Sequence, residues 1–238
     1  MPMITEKTVG QWVAENPGAA RIFEEAGIDY CCGGQRSLSE ACSQARAPLE
    51  PVREQLEQAA AAPAPGQRDW MASSQSELVE HIVAKHHAYV RQELPRLEAL
   101  LAKVNGVHGK NHPELAQIGR VWAEIAQEMT MHMMKEENIL FPYIVELENA
   151  AQGRGPQPVC MFGTVQNPVR MMMTEHDSAG ASLRAMRELS ADYTLPAEAC
   201  TSYRVLYAAL AAFEADLHQH IHLENNILFP RAVEMEER

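Results

Sequence analysis

Apolar residues recur every three to four positions through most of the chain after residue 73. Four stretches keep this pattern, over about 74–106, 113–149, 167–192 and 197–236. A 3.6-residue repeat places one apolar stripe along each helix. No convincing run of alternating β-branched residues competes with it. The breaks carry turn chemistry: Asn105-Gly106 with His112-Pro113, then Gly153-Arg154-Gly155-Pro156, then Thr194-Leu195-Pro196. Pro95, Pro142 and Pro230 fall inside the stretches and are expected to kink or end helices. Long helices joined by mostly short loops predict an all-α fold, an antiparallel up-down-up-down four-helix bundle over 73–238.

Residues 1–60 read as a small helical unit of their own. Thr8 is placed to cap a helix running to about Ala14, and Asn16-Pro17 starts a second carrying Ala20, Ile22, Phe23 and Ala26, with Gly27 as its stop. A glycine-rich turn follows, Ile28-Asp29-Tyr30-Cys31-Cys32-Gly33-Gly34. Ser37-Leu38-Ser39-Glu40 is a capping box for a helix over about 38–45, and another covers about 49–61. So short a unit has little core of its own. It is expected to dock on something or to self-associate as a homodimer. Residues 61–72 read as a linker, proline-rich at its start, with Trp70 as an anchor near its far end.

Composition agrees with helices: aromatics are 6% of the 238 residues, and Ala, Leu, Met and Glu abound. The net charge of −12 argues against nucleic acid and anionic membrane surfaces as partners. No apolar run reaches membrane-spanning length, and the N-terminus lacks the pattern of a secretory signal. Five cysteines, two of them adjacent, fit a reducing cytoplasm better than a disulfide scaffold.

The chemistry lies in a motif written twice. Residues 132–142 read His-Met-Met-Lys-Glu-Glu-Asn-Ile-Leu-Phe-Pro, and 220–230 read His-Ile-His-Leu-Glu-Asn-Asn-Ile-Leu-Phe-Pro, 88 residues later. His132 with Glu136, and His220 with Glu224, stand four apart, which stacks imidazole and carboxylate on one helix face. One such pair is ordinarily a solvated surface pair. Two copies, each leading into the same apolar run, point to a duplicated metal site. His87 precedes His132 by 45 residues, and His176 precedes His220 by 44. At ~1.5 Å rise per residue, His87 and His132 both lie ~30 Å from their shared loop, so antiparallel packing brings them level. Four imidazoles, two bridging carboxylates and one oxo or hydroxo bridge fill about ten of twelve positions on two octahedral ions, leaving room for a small ligand. Ferritin-like di-iron sites use Glu-x-x-His; the reversed order and the i, i+4 spacing here argue against that class.

These residues resemble a hemerythrin-like di-iron domain. The segment Asp29-Tyr30-Cys31-Cys32-Gly33-Gly34 resembles the cysteine-pair domain fused to it in the iron–sulfur cluster repair di-iron proteins, the Repair of Iron Centers family. Further similarity lies in Arg91-Gln92-Glu93-Leu94-Pro95, Glu175-His176-Asp177 and Leu223-Glu224-Asn225-Asn226. The resemblance implies two non-haem irons on His87, His132, Glu136, His176, His220 and Glu224. It implies a stress protein that restores iron–sulfur clusters damaged by nitric oxide or peroxide, with the damaged cluster proteins as clients. The distance from Leu94-Pro95 favours His87 over its neighbour His86. Cys31 and Cys32 are the candidate reactive thiols, whose pKa the N-terminus of the Ser37-capped helix lowers if the sulfur reaches it. A di-iron nitric oxide reductase, or a protein that binds nitric oxide or oxygen, is the competing reading. Glu128 and Glu175 are candidates to line a channel or support a ligand imidazole.

Overall fold

The computed structural model describes residues 7–61 and 68–237, and these are all helix, turn and loop. Residues 62–67, the middle of the expected linker, lie outside the described residues. The small unit has α1 (Val9–Glu15), α2 (Ala19–Glu25), α3 (Leu38–Ala45) and α4 (Leu49–Ala61). Both capping boxes form: Thr8 with Gln11 on α1, and Ser37 with Glu40 on α3. Gly27 ends the α2 segment at φ +67°, a conformation that costs glycine nothing.

The bundle has four long helices. The first is α5 (Gln75–His81), π1 (Ile82–His87) and α6 (Ala88–His108). The second is α7 (Glu114–Lys135), π2 (Glu136–Leu140) and α8 (Phe141–Ala151). The third is α9 (Gln166–Leu189), and the fourth is α10 (Thr201–Leu223), π3 (Glu224–Leu228) and α11 (Phe229–Glu236). Each neighbour runs antiparallel to the next. Between the first and second, His87 meets Phe141 and Arg91 meets Glu137. Between the third and fourth, His176 meets Asn225 and Arg187 meets Glu214. His87 and His220, then His108 and Tyr203, tie the fourth back to the first.

Two of the three π-turns bear on an expectation. Pro142 and Pro230 do not end their helices; each stands in the first turn of the α-segment that follows a π-turn. The N–H groups of Phe141 and Phe229 bond carbonyls five residues back, on Glu136 and Glu224. The next residue is proline, which has no N–H to contest the following carbonyl. The repeated Glu-x-Asn-Ile-Leu-Phe-Pro thus encodes a π-turn with its exit fixed, and the wider turn begins at the glutamate itself. Pro95 lies within α6, which continues through it.

The small unit docks on the bundle. Val9, Phe23, Tyr30 and Leu38 join Trp122, Phe213 and Leu217 in one continuous apolar core. The seam is tight: the Asn226 amide on π3 donates to the carbonyls of Tyr30 (3.3 Å) and Cys31 (3.1 Å). A Cβ on Gly34 would stand 2.1 Å from the Asn226 side-chain oxygen, so only glycine fits there. The cover falls on one half only. Ile227 is 2% exposed under the small unit, and its counterpart Ile139 is 51% exposed. Trp70 anchors as expected, its ring on His81 at 4.2 Å and under Arg68 at 4.6 Å.

Glu148 on α8 is buried and takes the orphan donors at the start of α5: the N–H of Gln75 (2.7 Å), the N–H of Ser76 (3.0 Å) and the Ser76 hydroxyl. Burial works against its charge, and the Ser76 and Gln75 donors outweigh it and hold its carboxyl below the ordinary 4.5. Glu148→Ala orphans these donors and is expected to cost about 2–3 kcal/mol in denaturant unfolding. A depressed folded pKa gives stability that is full above 4.5 and lost as pH falls through the folded value. The variant's deficit against wild type should therefore shrink in acid.

Candidate metal centre

Six buried side chains meet at the mid-height of the bundle: His87, His132, Glu136, His176, His220 and Glu224, each 2% exposed or less. They form two sets of four. One set is His87, Glu136, His220 and Glu224; the other is His132, Glu136, His176 and Glu224. Both carboxylates belong to both sets. His87 Nε2 faces His220 Nε2 at 3.1 Å, and His132 Nε2 faces His176 Nε2 at 3.0 Å. Glu136 oxygens stand 3.2 Å from His132 Nε2 and 3.4 Å from His87 Nε2. Glu224 oxygens stand 3.0 Å from His220 Nε2 and 3.1 Å from His176 Nε2.

This arrangement fits cations and little else. Two imidazoles aimed Nε2 to Nε2 can share at most one proton, and the arrangement occurs twice. Both Glu136 oxygens and one Glu224 oxygen are buried without a hydrogen bond. Orphaned buried carboxylate oxygens are costly. Two donors at ~2.1 Å from one ion and at right angles stand ~3.0 Å apart, close to the spacing seen. Neutral nitrogen and carboxylate donors suit borderline divalent metals, iron among them. Electrostatics follow. Burial opposes charge on His132, and Glu136 outweighs it, pushing the imidazole up to about 9. Burial likewise opposes charge on Glu224, and His220 and His176 outweigh it, holding the carboxyl well below its usual range.

The outer nitrogens are served unequally. His87 Nδ1 pairs with Glu137 (2.6 Å), itself bound by Arg91. His132 Nδ1 pairs with Glu175 (2.8 Å), itself bound by Lys135. His176 Nδ1 pairs with Asn225 (2.8 Å). His220 Nδ1 is buried and has no hydrogen-bond partner. Where Glu175 stands one residue before His176, the other half has His86 one before His87. His86 lies outside both sets of four; it stacks on His220 at 5.7 Å and bonds Asp216 at 3.0 Å. Glu175 therefore supports an imidazole, whereas Glu128 is exposed and meets Ser178 instead. Glu137 and Asn225 were not singled out from sequence. Their signal was position, since each follows the repeated glutamate directly.

Cys31 and Cys32 lie against the third helix. Cys32 Sγ is 3.5 Å from the His176 carbonyl oxygen, and the two sulfurs are 3.9 Å apart, unbonded. The expected lowering of thiol pKa does not hold for Cys31: its hydrogen bond to Cys32, burial and nearby Asp29 push it well above its ordinary value. The Cys32 sulfur faces the bundle at His176 and Gly180 rather than the start of α3. His222 is buried against Tyr30.

Antiparallel bundle and twin donor sets define a hemerythrin-type, cation-binding helical protein. The family model described as the Hemerythrin HHE cation binding domain matches residues 78–232, and ScdA_N, a Domain of Unknown function (DUF542), matches residues 5–60. The chain is 36% identical over 222 residues to a "Probable iron-sulfur cluster repair protein" of Haemophilus influenzae, covering 91% of this chain and 92% of that one. It is 35% identical over 228 residues to the "Iron-sulfur cluster repair protein YtfE" of Musicola paradisiaca, 96% of each chain, and 33% identical to its namesake in Escherichia coli O157:H7. The chain belongs to this family of two-part, hemerythrin-type iron–sulfur cluster repair proteins.

Proposed function

We propose that the chain holds two non-haem irons, bridged by an oxo or hydroxo group, and repairs iron–sulfur clusters damaged by nitrosative or oxidative stress by supplying iron. The observation that carries this reading is that Glu136 and Glu224 each belong to both donor sets. His87 and His220 would hold one ion and His132 and His176 the other. Iron there would supply a transferable, redox-active ion. The chain itself keeps the donors level, excludes bulk water and fixes three of the four imidazoles through their outer nitrogens. Cys31 and Cys32 are assigned the hand-over, which the 3.5 Å approach of Cys32 Sγ to the carbonyl of the ligand residue His176 supports. Positions left on the ions would admit nitric oxide or oxygen.

Division into a cysteine-pair unit (1–60), a linker (61–72) and a bundle (73–238) accords with the two matched ranges. Five unpaired cysteines favour a reducing cytoplasm. Among the described residues no helix is long and apolar enough to cross a membrane.

The test is reactivation of a cluster enzyme inactivated by nitric oxide. Iron-loaded protein should restore activity severalfold faster than metal-free protein supplied with the same free iron, and Cys31→Ser with Cys32→Ser should slow it. Equal recovery from the metal-free protein would refute iron supply. Sustained conversion of nitric oxide to nitrous oxide with a reductant would favour the reductase reading instead.

A further inference from the structure

A second group of metal-type donors lies outside the bundle centre. Asp29, Cys31 and Cys32 each place a ligand atom within 4.8 Å of the others. We propose that these three residues form a separate mononuclear site for a borderline divalent cation of the ferrous or zinc class. The distances suit it. Two thiolates ~2.3 Å from one tetrahedral ion stand ~3.8 Å apart, and the sulfurs here are 3.9 Å apart. Cys31 Sγ is 3.3 Å from Asp29 Oδ1, close to the ~3.6 Å expected between sulfur and oxygen on the same ion.

The turn is built to hold this shape. Asp29 Oδ1 accepts the N–H groups of Cys31 (3.2 Å), Cys32 (3.0 Å) and Gly33 (3.1 Å), so carboxylate and both thiols are fixed to one loop. Adjacent residues normally point apart, whereas here the sulfurs converge. The Asn226 bonds to the Tyr30 and Cys31 carbonyls hold that convergence against the bundle. Two thiolates and a carboxylate would carry −3; a divalent cation leaves −1, and Arg184 stands 3.9 Å from Asp29 Oδ2 to offset part of it. The donors line a cavity of ≈ 160 Å³ whose other walls include Arg184, Glu214 and His218, which leaves a fourth position for an incoming ligand. Sulfur donors select against magnesium and calcium. Binding is simple exchange: the two S–H protons leave, two metal–sulfur bonds and one metal–oxygen bond form, and no electrons move. This site stands on its own donor geometry and does not rest on the repair reading.

Cobalt(II) titration of the reduced full-length protein tests it. His and Glu donors give no sulfur-to-metal charge-transfer band, whereas thiolates on cobalt give one in the near ultraviolet. The expected result is three equivalents bound, with the band growing on one of them and two protons released at that step. Cys31→Ser with Cys32→Ser should lose the band and one equivalent and keep the bundle's two. Asp29→Asn keeps an oxygen for the three backbone N–H groups but loses the charge; it should weaken the third equivalent at least tenfold. No band in reduced wild type, or an undiminished band in the double variant, overturns the site. Unchanged affinity in Asp29→Asn overturns the three-donor assignment. Either failure leaves the bundle's two equivalents, and the repair reading, untouched.

Discussion

Glu136→Ala should empty both metal positions, whereas His132→Ala should empty one. Glu136 is a donor in both sets of four, and so is Glu224. Removing either carboxylate takes a ligand from each ion and leaves four buried imidazoles against a single negative charge. Each histidine serves one set only, so its loss leaves the other set complete. Metal analysis after iron loading is expected to give well under one ion per chain for Glu136→Ala and Glu224→Ala, and about one for His132→Ala or His176→Ala. Mössbauer spectra separate a lone ion from a coupled pair. Equal metal content in the glutamate and histidine variants would rule out shared carboxylates. Stability measured without metal guards against mistaking misfolding for loss of ligands.

His86→Glu should tighten one metal position. His132 has Glu175 at its outer nitrogen, whereas His220, its counterpart, has none, because His86 occupies the place equivalent to Glu175. A carboxylate on a ligand imidazole fixes its tautomer and raises its basicity, and losing such a partner typically costs about 10–100-fold in metal affinity. The His87–His220 position is therefore the weaker-held one. Chelator challenge should remove iron in two phases, the faster from that position. His86→Glu should slow the fast phase about tenfold or more, within the range for such partners. Glu175→Gln should instead speed the slow phase. A single phase unchanged by either variant would contradict unequal retention. Asp216 loses its His86 bond in the variant while its other oxygen is already buried without a hydrogen bond, so some loss of stability accompanies the gain in metal retention.

Much of this was readable before any coordinates. The four stretches, both capping boxes and the doubled His-x3-Glu each rest on local rules of spacing, and local rules survive folding. The choice of His87 over His86 was also available, from distance along the helix. What escaped was non-local or non-ideal. The π-turns shift backbone bonding by one residue, and a 3.6-residue pattern cannot register that, although the shared Phe-Pro exit marked two of the three. The docking of the small unit depends on Asn226 meeting Gly34 across 192 positions of sequence, and nothing local announces it. The missing partner of His220 is visible only when the halves are superposed and His86 is compared with Glu175. The raised pKa of Cys31 follows from burial, which a lone turn motif does not state.

Ile139 and Ile227 are the same residue in the same motif, one in solvent and one sealed. The same divergence separates exposed Met134 from buried His222. A duplicated bundle would by itself present two equivalent doors. Seating the cysteine unit over one of them gives the cradle a front and a back: one face is sealed beneath the cysteine turn, and the other meets water and methionine. Direction thus enters a symmetric container through a cap on one side, with no change to the container's own donors.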